Sequence, residues 1–206
     1  MIAVLELLVT RLGFTISSML ILGIDEVGRG SWAGPLVVGA VALAGPIAGL
    51  ADSKLLSAAK RRELDRTIRL QAVYVGLGWV SADELDAVGL SVALKLAAER
   101  AVEGCIDNKE VIIDGKVNFL LGYDADVKTL IKADQTIPAV SAASIVAKVA
   151  RDAFMADLDS LMPGYGFKTN VGYGTKQHRE GLRRLGVSIY HRQSFQPMKN
   201  MVSRGL

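Results

Sequence analysis

One cysteine, two histidines and 6% aromatic residues leave this 206-residue chain short of several common functional side chains. Cys105 cannot close an internal disulfide by itself, so no disulfide framework holds the fold, and a reducing, cytoplasmic setting is expected. It closes a helix-like run, Ala101-Val-Glu-Gly-Cys105, with no histidine near it in sequence, and reads as an inert thiol rather than a nucleophile. Membrane-spanning segments are also missing. Leu12 to Ile24 is too short for a bilayer and lacks the cationic start of a secretory signal. Residues 30–51 are uncharged and long enough, but Gly34, Pro35, Gly39, Gly45, Pro46 and Gly49 would break a spanning helix repeatedly. A soluble protein with no membrane partner is expected. Repeats, low-complexity tracts and long linkers are absent as well.

Half the residues are hydrophobic and 22% are charged, and the length suits one well-buried core with a small appended lobe. The net charge of +3 is unevenly spread. Residues 140–206 hold ten Lys and Arg against four Asp and Glu, whereas residues 1–139 hold fourteen against seventeen. A basic end on a slightly acidic body points to a polyanion gripped by that end; a solvated basic face is the plainer reading.

The order of elements follows from periodicity and caps. Strands are expected at Met19–Ile24, Leu36–Leu43 and Ala72–Val80, with a helix between the last two from Ser57 to about Gln71. Ser81 with Glu84 makes a capping box for a short helix, and Leu90–Glu103 is a stronger helix stopped by Gly104. Brief strands at Glu110–Ile113 and Val127–Ile131 precede a long helix from about Val140 to Leu161, halted by Pro163-Gly164. A last helix near Lys176–Leu185 is closed by Gly186. Strands first in a run and then alternating with helices predict an α/β fold with a mixed sheet and helices packed on it.

The acids fall where these strands stop. Asp25, Glu26, Asp114 and Asp134 each follow an apolar run directly or nearly so. In open α/β sheets ligands bind at the carboxyl ends of strands, so the four can converge on one crevice. Carboxylates that close would repel and take up protons unless a cation neutralised them, and an all-oxygen set favours Mg²⁺ or Mn²⁺. Two such ions could activate water and stabilise the leaving oxygen of a phosphodiester. Taken singly, each acid is more simply a solvated turn residue, and Asp114-Gly115 is an ordinary turn dipeptide. Composition and periodicity therefore reach only a candidate metal site.

Gly23-Ile-Asp-Glu-Val-Gly-Arg-Gly30, Ala33-Gly-Pro35, Asp52-Ser-Lys54, Asp114-Gly115, Lys132-Ala-Asp134, the run Ser141 to Asp152, Tyr165-Gly-Phe167, Gly172-Tyr-Gly-Thr175 and His191-Arg-Gln-Ser-Phe195 follow one another in an order that resembles the ribonuclease HII family. The resemblance implies a ribonuclease H-like core with a five-stranded mixed sheet. It implies four acidic ligands, mapping onto Asp25, Glu26, Asp114 and Asp134, for two Mg²⁺ or Mn²⁺ ions. The implied reaction cuts the RNA strand of RNA/DNA hybrids, and cuts 5′ of single ribonucleotides in duplex DNA, leaving 3′-hydroxyl and 5′-phosphate ends. Gly28-Arg29-Gly30 would read the ribose, since glycines let the backbone approach the 2′-hydroxyl; a tight turn between strands is the alternative. The turn has no P-loop pattern, and Pro35 with a strand follows where a dinucleotide fold would need a helix. Tyr173 resembles the family tyrosine that stacks on a neighbouring sugar, although a loop tyrosine is more often a packing anchor. Lys54, Lys148 and Arg151 are candidates for phosphate contacts, the last two at i and i+3 on one helix face. His178 and His191 are left as structural or substrate-side residues.

The expected organisation is an N-terminal extension of unknown role at residues 1–18, a catalytic core at 19–162, and a basic substrate-binding lobe at 163–206, in a monomer. Trp32 stands where the family commonly has other residues. The related ribonuclease HIII carries a sizeable N-terminal domain, for which the residues before Asp25 leave no room. Other readings are a resolvase or integrase-like nuclease of the same fold, or a catalytically inactive hybrid-binding module.

Overall fold

The computed structural model describes residues 20–50, 56–105 and 110–202. Lys54 and the segment 1–18 lie outside the described residues, as does the backbone start expected at Met19. Five strands form one mixed sheet: β1 (Ile21–Val27), β2 (Leu36–Leu43), β3 (Ala72–Val80), β4 (Glu110–Asp114) and β5 (Asp126–Leu130). Their spatial order is β3-β2-β1-β4-β5. β2 pairs antiparallel with both β1 and β3, while β4 runs parallel to β1 and to β5. This is the mixed five-stranded sheet the element order predicts.

Helices cover both faces. α1 (Ala58–Gln71) precedes β3; α2 (Ala82–Val88) and α3 (Leu90–Val102) follow it. α4 (Pro138–Leu161) comes after a 3-10 turn at Ala133–Gln135, and α5 (Phe167–Asn170), α6 (Lys176–Leu185) and α7 (Met198–Val202) complete the chain. The caps act as their residue types require. Ser57, Ser81 and Thr175 each accept a hydrogen bond from the backbone N–H three residues on. The capping box at Ser81 is half formed, because the Glu84 carboxylate pairs with Arg100 (2.6 Å) instead of reaching back.

Alternation along the strands sorts side chains between the two faces. Leu22, Ile24, Val111 and Ile113 join the core beneath α3, whereas Ile112 packs with Ala133 and Val140 toward α4. Leu22, Ile24, Leu36 and Ile113 are fully buried, each stabilising the fold by about 2 kcal/mol. α4 lies directly on the sheet. A Cβ at Gly23 would come within 2.2 Å of the Ala139 carbonyl carbon, and one at Gly39 within 2.5 Å of the Ala143 oxygen. Glycine is thus needed at both positions for the helix to approach. From Ala139 to Ala147 every residue of α4 is buried, so its first half is an interior helix rather than an amphipathic one. Its far end joins Tyr165, Phe167, Leu182 and Met198 in a separate cluster that also takes in Ala33. Among the described residues no helix is long and apolar enough to cross a membrane.

Candidate active site

β1 runs on through the acids rather than stopping before them, so Asp25 and Glu26 are strand residues. Alternation sends Asp25 to the α4 face with Gly23 and sends Glu26 the other way, in step with Leu22 and Ile24. β4 lies parallel beside β1 with Ile24 opposite Ile113, so the next residues along, Asp25 and Asp114, sit side by side on the α4 face. Asp134 reaches the same place from the 3-10 turn, not from a strand end. That turn is fastened to β4 because the Ala133 N–H donates to Asp114 Oδ1 (2.7 Å). Carboxylate oxygens of Asp25, Asp114 and Asp134 all lie within 4.8 Å of one another. Glu26 is outside this group but lines the same cavity of about 290 Å³, with Asp25, Gly28, Arg29, Asp114, Ser144, Lys148 and Tyr173 around it.

The electrostatics follow from burial. Asp25 is 8% exposed and its carboxyl rises from 3.8 to about 7, chiefly through desolvation; a hydrogen bond from Ser144 works against the rise, and the charges of Glu26 and Asp114 add to it. The Glu26 N–H donates to Asp25 Oδ1 (2.8 Å). Glu26 is raised as well, again mainly by burial, with the nearby Arg29 guanidinium (3.3 Å) opposing. Three crowded carboxylates with no nitrogen or sulfur among them, one held near neutrality by its surroundings, suit a hard divalent cation that would restore their charge.

The residues expected to grip substrate separate into two groups. Tyr173, 39% exposed, and Lys148, ion-paired with Asp152 at 2.8 Å, both border the acidic cavity. In the glycine loop the two glycines differ. A Cβ at Gly28 (φ +85°) would strike the Arg151 Nε at 2.3 Å, whereas nothing lies within 4 Å of one at Gly30. Gly28, which lines the acidic cavity, therefore has no room for a side chain, whereas Gly30 faces open space. Arg151 departs from its expected phosphate contact because it is fully buried. Its Nε donates to Pro35 O (2.8 Å), Nη1 to Val171 O (2.9 Å), and Nη2 to Ser31 Oγ (2.7 Å) and Ala33 O (3.1 Å).

Three residues given no role from the sequence complete the frame, although Ser144 and Arg192 lie within runs that resemble the family. Arg192, also fully buried, donates to Gly34 O and Arg29 O. Ser31 Oγ donates to Gly28 O (2.8 Å), and Ser144 holds Asp25. The loop of Tyr173 is joined to the glycine loop directly, since the Trp32 N–H donates to Gly172 O (2.8 Å). The histidines are structural: Nε2 of His178 faces Nε2 of His191 at 3.0 Å, and His178 Nδ1 contacts Tyr173 O at 3.0 Å. Trp32 packs under Gly174, where a Cβ would come within 2.2 Å of its ring, and beside His178.

Acidic groups from two adjacent parallel strands and a neighbouring turn, gathered under a long helix on a mixed five-stranded sheet, define a metal-dependent phosphodiesterase with the ribonuclease H-like fold. The ribonuclease HII family profile matches residues 22–198. A ribonuclease HII of Halorhodospira halophila is 44% identical over 185 residues, covering 88% of this chain and 94% of that protein. One from Jannaschia sp. is 44% identical over 187 residues, covering 89% and 92%. Among solved structures, the ribonuclease H2 of Pyrococcus horikoshii superposes with a TM-score of 0.77 at 25% identity, covering 90% of this chain and 98% of that one. The chain belongs to the ribonuclease HII family, and it is an endoribonuclease of the ribonuclease H type. Nothing found favours a resolvase or integrase-like nuclease, or an inactive binding module.

Proposed function

We propose that this chain hydrolyses the RNA strand of RNA/DNA hybrids and cuts on the 5′ side of single ribonucleotides embedded in duplex DNA, leaving 3′-hydroxyl and 5′-phosphate ends. The observation that carries the reading is the meeting of Asp25, Asp114 and Asp134 within 4.8 Å, in a cavity that Gly28, Arg29 and Tyr173 also line. Those three aspartates, with Glu26 completing the set, would hold two Mg²⁺ or Mn²⁺ ions. Bound there, the ions supply activation of the attacking water and neutralisation of the leaving oxygen.

The chain's own residues supply recognition and alignment. The backbone of the Gly28-Arg29-Gly30 loop comes close enough to the sugar to meet a 2′-hydroxyl, the group that separates RNA from DNA. Tyr173 stacks on the adjoining sugar or base without regard to sequence. Lys148, and Lys54 from its sequence position, contact flanking phosphates. Arg29 stays near Glu26, offsetting its charge while substrate is absent. Ser144 keeps Asp25 oriented toward the other two aspartates. Residues 163–206 form the basic substrate-binding lobe on the 19–162 core, and the enzyme acts as a cytoplasmic monomer, in keeping with its one cysteine.

The test is a DNA duplex carrying one ribonucleotide, incubated with Mg²⁺ and either the wild type or Asp25→Asn. Cleavage 5′ of the ribonucleotide by the wild type alone is expected. Comparable cutting of an all-DNA duplex, or full activity of the variant, would overturn the reading.

A further inference from the structure

The acidic cavity has a larger neighbour. A cleft of about 500 Å³ opens between the start of α1, the middle of α4 and the short α5. Four of its lining residues are basic (Arg61, Arg62, Lys148 and Lys168), and Asp152 is its single acid. Lys148 lines both hollows, so the cleft adjoins the cavity in which the scissile phosphate would lie. Asp152 is engaged by Lys148 at 2.8 Å, which leaves the outer part of the cleft lined by cations. Arg61 is held in place by donating to Leu56 O (2.6 Å), while Arg62 and Lys168 are exposed.

Helix geometry sets the reach. Ser144 marks the acidic site, and the cleft borders α4 from Lys148 to Ala156. At about 1.5 Å per residue this places the cleft roughly 6 to 18 Å along the helix from the reaction centre. A duplex strand advances about 3.4 Å per nucleotide, so for a duplex lying along α4 this span corresponds to about two to five base pairs from the cut.

We propose that this cleft is a distal binding site for the sugar-phosphate backbone of the substrate duplex, with Arg62 and Lys168 neutralising phosphates about two to five base pairs from the scissile one. The proposal rests on the nuclease reading and extends it, because it predicts a length requirement that the acidic site alone does not impose. The occupant is a nucleic-acid backbone rather than a free nucleotide, since the cleft adjoins the acidic cavity at Lys148 and its lining offers cations but no aromatic ring on which a base could stack.

The experiment compares wild type with Arg62→Glu/Lys168→Glu. Duplexes carry one ribonucleotide with either about two or about eight base pairs on one flank; the other flank stays long, and both polarities are made. Binding in metal-free buffer is followed by fluorescence anisotropy, and cleavage in Mg²⁺ gives kcat and KM. The wild type is expected to favour the longer flank in one polarity, and the double variant is expected to lose that preference mainly through KM. Removing two phosphate contacts flattens the salt slope by about 0.9 each, so the affinity gap between wild type and variant narrows about tenfold from 50 to 200 mM salt. Arg62→Lys/Lys168→Arg should restore the preference. An unchanged salt slope and length preference in the double variant would overturn the proposal, as would a wild type indifferent to flank length in both polarities. A wild type that cuts no ribonucleotide-containing duplex at all would instead bring down the nuclease reading, and the cleft's assignment with it.

Discussion

Replacing Asp25 by Asn separates what this carboxylate costs the metal-free fold from what it does in cleavage. Its carboxyl sits at about 7 when folded against 3.8 ordinarily. An acid whose folded pKa lies above its unfolded one keeps its full contribution to stability below pH 3.8 and loses it as pH rises through about 7. At about 1.4 kcal/mol per tenfold, the loss reaches about 4 kcal/mol by pH 8, with less than half of it present at pH 5. The neutral amide escapes this penalty but must place an N–H₂ where an acceptor stood, at a cost of about 1–2 kcal/mol. Metal-free Asp25→Asn should therefore unfold about 2–3 kcal/mol later than wild type at pH 8, a rise in Tm of about 5–10 °C for a chain of this size. The advantage should shrink as pH falls to 5. Adding Mg²⁺ should stabilise the wild type through linkage and narrow the gap, while the variant remains inactive. Urea unfolding in EDTA at the two pH values, with and without Mg²⁺, reads all of this. Equal stabilities at pH 8, or a difference that does not move with pH, would refute the electrostatic account of Asp25.

Tyr173→Ala should lower kcat/KM on a single-ribonucleotide duplex by about 5- to 150-fold, the worth of about 1–3 kcal/mol of stacking. Tyr173→Phe should keep most of the activity, and equal losses in the two variants would point to the hydroxyl instead. Arg151→Met removes four hydrogen bonds to segments 31–35 and 171. It should destabilise the protein by about 3–5 kcal/mol net of the relief of burying one charge fewer, and a change under about 1 kcal/mol in urea unfolding would contradict the positioning role. The buried His191 is lowered from 6.5 to about 4, first by desolvation and then by His178. Since the unfolded chain takes up the proton more readily, stability should be intact above pH 6.5 and fall by about 3 kcal/mol as pH drops toward 4. His191→Gln should flatten that decline, and an identical pH profile in the variant would remove the histidine pair as its cause.

Much of this architecture could be read from residue order alone. Helix starts at Ser57 and Ser81 and the stop at Gly186 are local chemistry, and the structure places them as the caps demand. Asp25 and Asp114 were visible because each follows an apolar run on an interior strand. Three features escaped that logic. β1 continues through Asp25 to Val27, although charged residues ordinarily mark a strand's end; here the pocket at its tip takes them in. Asp134 sits on a 3-10 turn held by a hydrogen bond to Asp114, a link nineteen residues distant in sequence. Arg151 looked like the neighbour of Lys148 on an exposed face, yet segments 31–35 and 171, both remote along the chain, cover it. Helical spacing tells which side chains share a face, but not what will be laid over that face.

The two covered guanidinium groups also shape how this enzyme can vary. Arg151 grips both the glycine loop and the segment leading to Tyr173, and Arg192 also grips the glycine loop, so the sugar reading and sugar stacking proposed for these loops would hang from common pegs. A change that tilts one loop must tilt the other. Selectivity for ribose and grip on the adjoining nucleotide should therefore rise and fall as one trait, and altered sugar preference should be reached more readily at the tips, Gly30 and Tyr173, than through the frame that carries them.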